Sequence, residues 1–102
     1  MDKKRSVLIK QLKEFKNNNK LEKMYFFGSR AVGKPHRWSD VDLVIVSKNF
    51  RGKGLLERSP PLHINWDLNY PVDFLCYTPE EFKKLQKRVS IVSEAVKNGI
   101  EV

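Results

Sequence analysis

The chain has 102 residues, 40% apolar and 31% charged, with 20 Lys and Arg against 12 Asp and Glu for a net charge of +8. That size fits one domain, residues 1–102, with a single core and no room for a separate substrate domain. It contains neither the roughly 20 apolar residues of a membrane span nor the apolar segment of a secretory signal, so no membrane association and a cytoplasmic location are expected. The positive charge favours anionic ligands without choosing among them. Because the basic residues are scattered rather than gathered with aromatics in one tract, nucleic acid is the less favoured partner.

In chain order, Leu8, Leu12 and Phe15 at helical spacing predict an amphipathic helix over Ser6 to Lys16, fraying at Asn17-Asn18-Asn19. A first strand follows at about Lys23 to Phe27 and ends in Gly28-Ser29. A short helix after Ser29 is limited to a turn or two by Gly33 and Pro35. In that stretch His36 reads as an exposed loop residue and Trp38 as packing. Asp40 and Asp42 open a second strand through Leu43-Val44-Ile45-Val46. The segment Lys48 to Tyr70 has no clear period; Leu55 to Arg58 starts a short helix that Pro60-Pro61 stops. A third strand, about Val72 to Tyr77, carries Cys76, which reads as a small core residue. As the only cysteine it rules out an internal disulfide. Thr78, Pro79 and Glu81 form a capping-box signature. Phe82, Leu85, Val89, Val92 and Val96 then trace one apolar seam along a last helix to Asn98-Gly99, mostly for sheet packing and in part open to a homodimer or partner contact.

The chemistry lies at the strand ends. Alternate residues of a strand share a face, so Asp40 and Asp42 point the same way, about 6 to 7 Å apart. Two carboxylates so placed repel, and a hard divalent cation, Mg²⁺ or Mn²⁺, relieves them. Gly28 permits positive φ and close approach of a ligand, while Ser29 adds a hydroxyl and an N–H suited to phosphate. Arg30, directly after this cradle, is the first choice to neutralise a triphosphate. Lys34 and Arg37 lie close by in sequence.

Gly28-Ser29, ten residues, then Asp40-Val41-Asp42 resembles the signature of the DNA polymerase β-like nucleotidyltransferase superfamily. The short length makes the chain similar to the minimal nucleotidyltransferases of bacteria and archaea. The resemblance covers about Met24 to Tyr77 and implies a third carboxylate from a later strand. Asp73 within Pro71-Val72-Asp73-Phe74-Leu75 has the right form, and its apolar neighbours favour it over Asp67. One departure is Val32, where many relatives carry a second arginine. The predicted fold is α/β (α+β), a small mixed three-stranded sheet covered by helices in the order α-β-α-β-α-β-α.

The resemblance further implies ATP as donor, with Asp40, Asp42 and Asp73 as catalytic residues and ligands of Mg²⁺. Gly28, Ser29 and Arg30 would bind the phosphates, and Asp73 would serve as the base. Minimal nucleotidyltransferases of this kind pair with a small helical HEPN protein. The implied role is that of an antitoxin transferring AMP to a hydroxyl of that partner. The alternative is a catalytically idle, nucleotide-binding module that acts by contact.

Overall fold

The computed structural model describes residues 3–28, 30–31 and 40–102. Helix α1 (Lys3–Asn18) opens the chain. It runs through Asn17 and Asn18, where fraying was expected, and the Phe15 carbonyl at its end accepts from both Asn19 N at 3.1 Å and Asn19 Nδ2 at 2.8 Å. Strand β1 (Lys23–Phe27) follows, then β2 (Val41–Val46). The short helix expected after Ser29, with His36 and Trp38 near it, falls outside the described residues.

The segment from Lys48 to Tyr70 is more ordered than its sequence suggests. It holds a 3₁₀ turn (Lys48–Phe50), α2 (Leu55–Arg58) and α3 (Pro60–Asn65). The proline pair starts α3 rather than only stopping α2, since proline at the first helical positions sacrifices no hydrogen bond. Trp66 then packs edge-on against Phe15 and Phe74, at 5.2 and 5.7 Å between centroids. Strand β3 (Val72–Tyr77) leads into α4 (Pro79–Gln86), α5 (Ile91–Asn98) and a two-residue strand β4 (Ile100–Glu101).

Two expectations are corrected here. The sheet has four strands, ordered β3-β2-β1-β4, rather than three. The last helix is two helices: Val89 is fully exposed, so the apolar seam breaks there. Ser90 sets the break, its hydroxyl donating to the Leu85 carbonyl at 2.6 Å and accepting from Ser93 N at 3.1 Å to restart the helix. No helix among the described residues is long and apolar enough to cross a membrane.

The sheet is mixed, as expected: β1 is antiparallel to β2 and to β4, while β2 and β3 run parallel. Both faces are covered, which is why β2 reads as a continuous apolar run. Met24, Phe26, Leu43, Ile45, Phe74 and Cys76 pack with Leu8, Leu12 and Phe15 of α1. Tyr25, Val44 and Val46 pack with Phe82, Val92 and Ala95 of α4 and α5. By strand alternation Asp42 and Asp73 belong to this second face, at the end where the sheet begins.

The capping box at Thr78 is present and is tied to a buried arginine. Glu81 accepts from Thr78 N at 2.9 Å, and Thr78 Oγ1 accepts from Glu81 N at 3.2 Å. Arg58, only 7% exposed, donates to both Glu81 carboxylate oxygens at 2.6 and 3.2 Å, to the Cys76 carbonyl at 3.2 Å and to the Lys53 carbonyl at 3.0 Å. These bonds hold the Glu81 carboxyl below its ordinary value of 4.5, Arg58 contributing most. Arg58→Ala leaves a buried carbonyl and a carboxylate without their donor. It is expected to cost about 2 to 3 kcal/mol in urea unfolding at pH 7, below the value for a fully buried pair because Glu81 is partly solvated. A depressed carboxyl stabilises above its unfolded value and loses that contribution as pH falls through its folded value. The gap between wild type and variant is therefore expected to close in acid, below the ordinary value of 4.5.

Candidate active site

Three elements meet at one end of the sheet: the end of β1 and the starts of β2 and β3. Parallel pairing sets Asp42 directly beside Asp73, and antiparallel pairing sets Phe27 beside Asp42. Neighbouring strands lie about 4.8 Å apart, so the two carboxylates leave adjacent backbones on the same face. Asp40 comes immediately before β2 and is exposed, as is Asp73, while Asp42 is half-buried. The Asp42 carboxyl is pushed above its ordinary value, first by burial, then by the charge of Asp73 and then by that of Asp40. Among the described residues no three acidic, histidine or cysteine side chains close into a ready cage for an ion.

Gly28 supplies the other wall. Its φ is +85°, and a Cβ there would sit 2.3 Å from Asp42 Oδ2. The backbone thus presses against the carboxylate, and only glycine fits both the conformation and the space. A turn follows, closed by Ala31 N donating to the Gly28 carbonyl at 3.1 Å. Ala31 is buried, and its carbonyl accepts from the Arg5 guanidinium of α1. Arg30 lies with its guanidinium over the Tyr70 ring, 4.7 Å from the centroid.

Of the residues singled out from sequence, Gly28, Asp40, Asp42 and Asp73 lie at this end of the sheet, with Arg30 two residues beyond Gly28. Ser29, Val32, Lys34, His36, Arg37 and Trp38 lie outside the described residues. Asp67 lines a different hollow of about 500 Å³ with Gln11, Glu14, Asn18 and Asn65. The Cys76 thiol is buried and pushed up to about 12, chiefly by burial, so it is no nucleophile. Arg5 was not singled out from the sequence. Arg5 is one basic residue among several in α1, and nothing in its spacing marks a contact with Ala31.

The donor set fits a hard divalent cation. It consists of carboxylate oxygens only, one of them raised first by burial and then by like charges that a cation would offset. Asp40 and Asp42, with Asp73 beside them, are the residues able to hold such an ion.

Comparison with known proteins gives concordant results. Residues 8–100 match the family model of the nucleotidyltransferase domain. Over 80 residues the chain is 30% identical to a Haemophilus influenzae protein named probable protein adenylyltransferase MntA. That match covers 76% of this chain and 70% of the relative. A crystal structure of a candidate nucleotidyltransferase from Sulfolobus solfataricus superposes with a TM-score of 0.64 at 24% identity. The superposition covers 95% of this chain and 80% of that one, and it shows a shared fold.

Proposed function

The chain belongs to the nucleotidyltransferase domain family, an enzyme of the minimal type that its motif resembles, and on that premise we propose that it transfers AMP from ATP to a hydroxyl of a partner protein. The reading extends to a cytoplasmic antitoxin whose partner is a HEPN-type helical protein. It treats residues 1–102 as one catalytic domain to which a separate molecule brings the acceptor. The observation that carries it is the register of Asp42 with Asp73, with the Gly28 backbone set against the Asp42 carboxylate. The relative named as a protein adenylyltransferase supports protein as the acceptor class.

Each residue then has a role. Asp40 and Asp42 would hold Mg²⁺, or Mn²⁺ in its place, and Asp73 completes the acidic end of the sheet. The chemistry such an ion would supply there is neutralisation of charge on the phosphoryl oxygens. Asp73, the more exposed of the paired carboxylates, takes the proton of the incoming hydroxyl. The hydroxyl oxygen bonds to the α-phosphorus as the bond to pyrophosphate breaks. Gly28 and Ser29 receive the leaving phosphates through backbone N–H groups, and Arg30 offsets their growing charge. Positioning and electrostatics supply most of the rate.

Incubation with α-labelled ATP, Mg²⁺ and the product of the neighbouring gene tests the proposal. Label is expected to move to the partner and to stay on ATP with Asp40→Asn. Absent transfer, or transfer that survives Asp40→Asn, overturns it.

A further inference from the structure

We infer that Arg5 is a positioning residue for the carboxylate site, holding from α1 the turn that sets Gly28 against Asp42. The inference rests on the nucleotidyltransferase reading above and adds the residue that fixes one wall of the site. The contacts run in series. The Arg5 guanidinium donates through Nη2 to the Ala31 carbonyl, and Ala31 N donates to the Gly28 carbonyl at 3.1 Å. Gly28 in turn lies so close to Asp42 that a Cβ on it would stand 2.3 Å from Asp42 Oδ2. The first helix is thereby joined through backbone to the carboxylate at the start of β2.

Both ends of that series are anchored. Leu8 and Leu12, the next inward positions of α1 after Arg5, are buried in the same core cluster as the Ala31 side chain. The turn between them has little else to hold it. The ladder of β1 with β2 ends at the pair Phe27 and Asp42, and Gly28, with a φ of +85°, has no side chain to pack. Arg5 Nε is also buried and, among the described residues, has no hydrogen-bond partner. A buried donor left open is costly and offsets what the bond to Ala31 contributes. The contact therefore adds little net stability, and its consequence is where the turn lies.

Two measurements test the inference: binding of Mn²⁺ together with a nonhydrolysable ATP analogue, followed by the paramagnetic resonance of free Mn²⁺, and label transfer at saturating ATP. Arg5→Met keeps an apolar stem and removes the donors. It is expected to weaken binding about 3- to 30-fold, within what one hydrogen bond from a charged group supports, and to lower transfer about 10- to 100-fold. If Arg5→Met fails to fold, Arg5→Ala carries the same expectation. Arg58→Ala loosens the opposite end of β3 and is expected to stay within about twofold of wild type in both measurements while folded. In a Gly28→Ala background Arg5→Met is expected to add less than about twofold, since the turn it holds is already displaced. Wild-type binding in Arg5→Met, a loss matched by Arg58→Ala, or the full further loss in the Gly28→Ala background overturns the inference and leaves the nucleotidyltransferase reading standing. A wild-type protein that binds Mn²⁺ and analogue but transfers no label overturns that reading, and the binding comparison then decides the role of Arg5. A wild-type protein that does neither takes down both.

Discussion

Asp42→Asn is expected to reduce AMP transfer about 1,000-fold while making the ion-free protein no less stable. On the proposed role of Asp42, the first effect follows from removing a charged ligand of the ion: several kcal/mol of transition-state stabilisation is lost, at 1.36 kcal/mol per tenfold. The second follows from the environment of the side chain. Burial and the charges of Asp73 and Asp40 raise the Asp42 carboxyl above its ordinary value of 3.8. A carboxyl raised in the folded state stabilises the fold while protonated, and that contribution is lost as pH rises through its folded value. At neutral pH the ionised group is therefore a liability that the amide removes. Thermal unfolding in a chelator at pH 7 is expected to give the variant a melting temperature equal to or above wild type. The difference should vanish below the ordinary value of 3.8. A variant that is markedly less stable at pH 7, or that retains transfer, contradicts this account of Asp42.

Gly28→Ala is expected to lower transfer about 100-fold in a protein that still folds, because displacing a reacting group by about 1 Å costs that much. Two effects coincide at this position. The positive φ of +85° strains any side chain, at roughly 1 to 2 kcal/mol. The added methyl also meets Asp42 Oδ2 at 2.3 Å, so the carboxylate must move. Gly52 separates them, since its φ is +79° but no atom lies within 4 Å of the Cβ position. Gly52→Ala should therefore show the strain alone, seen in unfolding, and keep transfer at about the wild-type level. Steady-state label transfer and urea unfolding of both variants check the pair. Equal activity in Gly28→Ala and Gly52→Ala would mean that the turn does not shape the carboxylate.

The positions of these residues were legible in the sequence, but the contacts that bring them together were not. Gly28 and Asp42 end and begin strands marked by apolar runs, and the Thr78 cap was readable because its partners lie within three residues. The Asp42–Asp73 register is different, since parallel pairing joins positions 31 apart in the chain and no local pattern states which strands are neighbours. The same holds for Arg30 on Tyr70 and Arg5 on Ala31, contacts made across the fold by residue types that are common on surfaces. The last helix misled for a physical reason: spacings of three and four continue across a helix break if the second helix resumes the same face. Val89 then falls in the gap while Val92 is buried. Strand β4, two residues long, is too short to show any period and exists because β1 offers an open edge.

The most direct test is anomalous diffraction from crystals grown with Mn²⁺ and a nonhydrolysable ATP analogue. Manganese held by Asp40 and Asp42 beside Asp73, with the phosphates against Gly28, is the expected result. Manganese bound elsewhere, or a triphosphate lying away from that end of the sheet, would contradict the assignment of these carboxylates to the reaction.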